Sequence, residues 1–303
     1  MKNKNEIKGY LLVFLATIAM SNVYIFSKAA LRETSLAQFG MFWFAFALIW
    51  NIINLVFFKG YKDIFPIEKK NLWILLGLGF VEIVGTIGFF SAIKIMDNPS
   101  IVSFLTNISP IYVSILGYFM LKEKLTKLEV IGSLLILTGA FIISYHPNWR
   151  TNDQFYLGLL IIIVYTFIFA FGKIISKRHI KNIKPNLLSV NRVIFLFIFS
   201  SIAFFIGGEP INISQTALLN IGIGSLLGPL LAALAGYNAI KYIPASKASM
   251  LGTIKGLFVM ITAYLYFDIL PMNYQIIGGV LTITGALLIT FGKQFQKQKS
   301  NKI

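Results

Sequence analysis

Glu82 and Lys255 stand among almost wholly apolar neighbours, where an ionised side chain costs about 2.5 to 3.5 kcal/mol at the centre of a membrane-embedded helix. Each therefore needs a physical reason. Glu82, the only acidic residue deep in an apolar stretch, is flanked by Gly79, Gly85 and Gly88, small residues that let a second helix approach closely. Two chemistries fit it: a proton-coupling carboxylate, or one half of a fixed ion pair with a neighbouring lysine. The ammonium of Lys255 could meet a substrate carboxylate or pair with Glu82, and it is the leading candidate for a functional residue. Lys28, Lys173 and Arg192 lie nearer the ends of such stretches; they could contact an anion, or their long stems could carry the charge out to water. Asn22, Tyr24, Ser103, Thr106, Asn107, Tyr237, Asn238, Ser249 and Thr253 add hydroxyls and amides, which serve either a cavity or the seams between helices. Pro110 and the pair Gly228-Pro229 are candidate helix breaks, because proline removes an amide donor and frees a carbonyl.

The elements that must position these residues are apolar runs of 19 to 26 residues. At about 1.5 Å of rise per residue each is long enough to cross a hydrocarbon core about 30 Å thick. Ten are expected, at 9–31, 36–58, 72–94, 99–121, 127–145, 155–176, 186–207, 215–240, 246–267 and 273–292. A backbone in lipid must satisfy its own hydrogen bonds, and the alternation of a barrel strand is missing, so the runs are expected to be helices. The expected fold is thus an all-α integral membrane protein. Composition agrees: 57% of the 303 residues are hydrophobic and 13% charged, against about 25% charged in ordinary globular domains, and mean hydropathy is +0.77. The basic start, Met1 to Lys8, is similar to the n-region of a signal peptide, but the following run lacks a convincing cleavage site and is expected to be a retained span.

The net charge of +16 lies in connectors rather than on one soluble face, so nucleic acid is not an expected partner. With the N-terminus in the cytoplasm, twenty of the 27 basic residues fall in inner connectors, and Arg32, Lys94 and Arg150 in outer ones. This asymmetry predicts a multi-pass protein of the cytoplasmic membrane with both ends inside.

An internal repeat runs through the chain. Lys28 and Lys173 are 145 positions apart; Ala92-Ile93-Lys94 recurs as Ala239-Ile240-Lys241; and Gly132 and Gly139 recur as Gly278 and Gly285. The halves are expected at 1–146 and 147–303, each with five spans. An odd number makes the second half enter from the opposite side, and inverted repeats mark many secondary transporters whose substrate site lies between the halves. Duplication could also have built a helical bundle with no such site.

On these residues the chain resembles a known family. The stretch Ala239 to Leu251, together with Pro110, Lys122-Glu123-Lys124-Leu125-Thr126 and the paired Gly132 and Gly139, is similar to EamA-type members of the drug/metabolite transporter superfamily. The resemblance implies an inverted five-plus-five helix fold that exports or exchanges amino acids and other small metabolites. The second half departs from the family pattern at Gly256, where proline is usual, and at Phe267-Asp268-Ile269-Leu270, where a glutamate motif is usual.

Other functions find less support. A membrane-embedded lipid enzyme would need clustered His, Asp or Glu, whereas the two histidines, His146 and His179, stand in connectors on opposite sides. The chain has no cysteine and no Walker-type Gly-Lys-Ser/Thr motif, so gradient-driven or facilitative transport, without metal or cofactor, is expected. A lipid or lipid-linked-sugar flippase, or a channel, on the same fold stays open, as does the choice between monomer and homodimer. Glu123 reads as a structural helix-end charge, and Gly224 and Gly228 as a small-xxx-small packing pair.

Overall fold

The structure is a computed structural model that describes residues 2–64, 67–96, 102–103, 105–144, 153–267 and 272–300. His146, Arg150 and Asp268 lie outside the described residues, as do Ile269 and Leu270. Every regular element among the described residues is helical: α1 (Lys2–Leu31), α2 (Leu36–Phe57), α3 (Lys69–Ile95), α4 (Ser109–Leu121), α5 (Lys127–Ser144), α6 (Asp153–His179), α7 (Pro185–Ile206), α8 (Gln215–Tyr242), α9 (Ala245–Gly252), α10 (Lys255–Phe267) and α11 (Asn273–Ser300), with short 3-10 turns before α3 and α4. Six of them, α1 to α3 and α6 to α8, are long and apolar enough to cross a bilayer. Two expected spans differ from continuous helices. The fourth passes through a 3-10 turn at Thr106–Ile108 before α4 begins, so Pro110 sits in the first turn of a helix, where its missing amide costs nothing. The ninth is divided into α9 and α10 by a break at Thr253 and Ile254.

Local chemistry accounts for the helix ends. Ser35 and Ser214 accept hydrogen bonds from the amides of Gln38 and Ala217, each at 3.0 Å, and so cap α2 and α8. Lys122 adopts a left-handed conformation, φ 55°, that closes α4 and turns the chain toward α5. In α8, Pro229 cannot donate to the helical ladder, and the helix widens to a π-turn over Leu226–Ala232 around it.

The exterior is apolar: Phe57, Phe119 and Ile206 are 79%, 75% and 83% exposed, as suits a surface solvated by lipid chains. Inside, buried hydroxyls bond to their own helices, as Thr17 does to the Val13 carbonyl at 2.7 Å and Thr166 to that of Ile162 at 2.6 Å. Glycines set the helix separations. A Cβ on Gly79, Gly85 or Gly88 of α3 would lie within 2.6 Å of Phe195, Phe169 or Tyr165, so rings of α6 and α7 sit directly on the α3 backbone. Gly224 and Gly228 receive Trp43 of α2 and Val23 of α1 in the same way.

The helix pairing has an exchange symmetry. Along the chain α1 packs on α8 as α6 packs on α3; α4 packs on α6 as α9 and α10 pack on α1; and α2 with α7, α4 with α9, and α5 with α11 are pairs in their own right. Swapping the first five spans for the last five maps this set onto itself. Between α5 and α11 the repeated glycines meet crosswise. A Cβ on Gly132 would be 2.7 Å from the Gly285 carbonyl oxygen, and one on Gly139 would be 2.5 Å from that of Gly278, so the two helices run antiparallel.

Candidate functional site

A cavity of about 330 Å³ lies at the centre of the helices, lined from α1, α2, α3, α4, α6, α7, α8, α9 and α10. Its walls are apolar and aromatic, with Trp43, Phe44, Phe89, Phe90 and Phe169 prominent. Its charged lining among the described residues is wholly basic: Lys173 from α6, Arg192 from α7 and Lys255 from α10. Pro110, at the start of α4, and Gly228 and Pro229, in the π-turn of α8, also line it.

Lys255 opens α10 just past the break. Its Nζ donates to Thr106 Oγ1 at 2.6 Å and stands 5.8 Å from the centre of the Tyr24 ring, a cation-π distance. Thr106 donates to the Ser103 carbonyl at 2.7 Å, leaving its oxygen to accept from Lys255 and, at 3.3 Å, from Tyr24. The adjoining Asn107 is buried, and neither amide atom has a partner among the described residues. Lys173 makes no hydrogen bond or ion pair among the described residues; Lys255 repels it and Glu123 attracts it.

Glu82 is engaged with a different cation from the one expected. Its Oε2 pairs with Arg192 Nε at 2.8 Å, and its Oε1 accepts from Tyr237 Oη at 3.2 Å. The partner is arginine, not lysine, and Lys255 is bonded elsewhere. Asn22 and Asn238 donate to the carbonyls of Ile18 and Leu234 in their own helices.

Lys28 acts on the backbone. Its Nζ donates to the carbonyls of Ile93 at 2.9 Å and Met96 at 2.7 Å, closing the C-terminus of α3, where a cation also suits the helix dipole. In the second half the same work is done by Lys177, which donates to the carbonyls of Ile240 and, at 2.9 Å, Ile243 at the end of α8. The structural counterpart of Lys28 is therefore Lys177, and the sequence pairing with Lys173 is corrected. Lys173, one turn earlier on α6, is left to face the cavity.

Sequence reasoning missed a polar belt that joins the halves. Glu123 accepts from the amides of Ala245 and Ser246 at 2.9 and 3.0 Å and from Ser246 Oγ at 2.7 Å, capping α9 across the repeat boundary. Glu129 and Lys247, 0% and 1% exposed, form a buried ion pair between α5 and α9. The readable signal was the capping box Thr126-x-x-Glu129, in which the Thr126 amide donates to Glu129 at 2.8 Å.

Residues 7–145 and 156–291 each match the model of the EamA-like transporter family. The chain belongs to that family. Among its relatives, an uncharacterised transporter of Synechocystis is 27% identical over 211 residues, 66% of this chain and 59% of that protein's length. The uncharacterised transporter YyaM of Bacillus subtilis is 23% identical over 80% of this chain and 81% of its own, and the riboflavin transporter ImpX of Fusobacterium nucleatum is 26% identical over 59% and 61%. A solved crystal structure with 14% identity superposes with a TM-score of 0.76 over 96% of this chain and 99% of its own, a likeness of fold. The chain is thus a multi-pass membrane transporter of two EamA-like repeats.

Proposed function

We propose that this chain is a secondary transporter that exports or exchanges amino acids or similar small metabolites across the cytoplasmic membrane by alternating access. The observation that carries the reading is the central cavity, built from helices of both repeats and bearing Lys173, Arg192 and Lys255. The halves 1–146 and 147–303 are inverted relative to one another, with both ends in the cytoplasm. The antiparallel crossing of α5 and α11 supports this, because helices related by an axis along the membrane normal would run parallel. Rocking one repeat against the other exposes the cavity to each side in turn. Lys255 contacts the substrate, and the Glu82–Arg192 pair spans α3 and α7 across the moving interface. The family relationship to a riboflavin transporter supports a small organic solute as cargo.

The test is counterflow into proteoliposomes loaded with a panel of amino acids, organic acids and purines. Saturable exchange of one class, lost in Lys255→Ala while the variant remains folded, supports the reading; exchange unaffected by the substitution removes Lys255 from the site. A lipid or lipid-linked-sugar flippase is the second reading. It is favoured by an apolar pocket of about 200 Å³ between α2, α3 and α7 that shares Phe44, Thr86 and Phe90 with the central cavity. Its neighbours Leu36, Ile87 and Phe199 lie exposed on the outer surface. Stimulation by lipid with no soluble counterflow would select it.

A further inference from the structure

The polarity of the cavity narrows the cargo, given that it is a transport site. Lys173 and Lys255 supply ammonium donors. Trp43 also lines the cavity; its indole N–H is buried and has no partner among the described residues, and indole can only donate. The lining is rich in donors.

It is correspondingly poor in places for a cation. No Asp or Glu lines the cavity among the described residues. The nearby carboxylates are engaged: Glu82 with Arg192 and Tyr237, and Glu123 with the first turn of α9. A zwitterionic amino acid would bring an ammonium group with no free carboxylate to receive it, and burying that charge unpaired is costly. An anion would instead offset the repulsion between Lys173 and Lys255. Phe44, Phe89, Phe90 and Phe169 supply flat apolar walls for the rest of the molecule.

We propose that the cargo is a net-anionic organic acid with an aromatic or otherwise flat apolar body, its oxyanion held by Lys255 and Lys173 and its body laid against the phenylalanine walls. Carboxylate and phosphate monoester share the required chemistry. Thr106 is the positioning residue: its oxygen accepts from Lys255 and holds that ammonium at the cavity wall.

The experiment uses the purified full-length protein and four probes that share a phenyl ring: 3-phenylpropionate, phenyl phosphate, phenylalanine and phenethylamine. Binding is read as the thermal shift at rising concentration, and transport as counterflow in proteoliposomes. The expected order places one or both anions first, phenylalanine at least about tenfold weaker, the value of one charge-assisted hydrogen bond, and phenethylamine without effect. Which anion leads tells carboxylate from phosphate. Lys255→Gln and Lys173→Gln are each expected to weaken the leading anion about tenfold or more and to narrow its margin over phenylalanine. Lys255→Arg is expected to restore part of the loss, a recovery that a merely structural lysine would not show. Phenylalanine or phenethylamine binding as tightly as the anions, or no shift by either anion, overturns the proposal. Saturable counterflow of a zwitterion would then leave the transporter reading standing, whereas no counterflow of any solute in the wider panel would take that reading down separately.

Discussion

Glu82 and Arg192 show how a costly charge is made tolerable inside an apolar protein: the opposite charges stand 2.8 Å apart, the Tyr237 hydroxyl donates to the carboxylate, and the two side chains are only partly exposed, at 15% and 23%. Glu82→Gln would leave Arg192 uncompensated, and the expected loss of stability is about 2 kcal/mol, less than for a fully buried pair because the cavity admits water. Thermal unfolding in detergent measures it, and adding Arg192→Gln should recover part of the loss. Lys247 is the stricter case. Lys247→Ala strands Glu129 in a dry interior, with an expected cost of about 3 to 5 kcal/mol, whereas Lys247→Met with Glu129→Leu should be nearly neutral. A single variant as stable as the parent would mean that the pair contributes little. The burial of Glu82 was legible in the sequence, because its neighbours are apolar and hydropathy is a local property. Its partner was not, since Glu82 and Arg192 meet only when α3 and α7 pack. Lys28 was legible only as a lysine near a span end, and that looks the same whether the ammonium reaches water or the carbonyls of Ile93 and Met96.

Helices α5 and α11 are held together by what they lack. Gly139 and Gly278 bring backbone against backbone, so Gly139→Leu must force the helices apart rather than displace a flexible side chain. The expected cost is at least about 1 to 3 kcal/mol, seen as a lower unfolding temperature, while the equivalent change at Gly222, where nothing lies within 4 Å, should be tolerated. The sequence showed these glycines as a repeat, at Gly132 and Gly139 and again at Gly278 and Gly285, but not that the two pairs meet each other. The break between α9 and α10 was less visible. Gly252 and Gly256 flank it, but glycine is common in membrane helices, and the hydrogen bonds that Glu123 makes to the start of α9 come from a distant part of the chain. The π-turn in α8 was foreshadowed by Pro229, which predicted a disturbed ladder without saying whether it would tighten, kink or widen.

At the scale of the whole molecule, the ten apolar runs expected from the sequence, an odd number per half, and the bias of lysine toward alternate connectors predict one topology. The absence of cysteine makes that topology simple to measure, because any cysteine introduced is the only thiol in the chain. With both ends in the cytoplasm, a cysteine in place of Lys62 or Lys181 should react with an impermeant maleimide only after the cells are opened, and one in place of Arg32 should react in intact cells. The reverse pattern would turn the molecule over while leaving its fold intact. The central cavity could not have been drawn from the sequence, because its wall is assembled from nine helices and no local pattern records which of their residues converge.

The two lysine clamps carry a genealogical consequence. Lys28 and Lys177 stand 149 positions apart, whereas the carbonyls they hold, Ile93 with Ile240 and Met96 with Ile243, stand 147 apart. The anchoring side chain has slipped by two positions relative to its target, and the long, flexible stem absorbed the slip. Each clamp also closes wholly within its own half of the chain. A gene fragment encoding one half would have carried this fastening through a duplication, and two polypeptides cut between the repeats would each retain it when produced together.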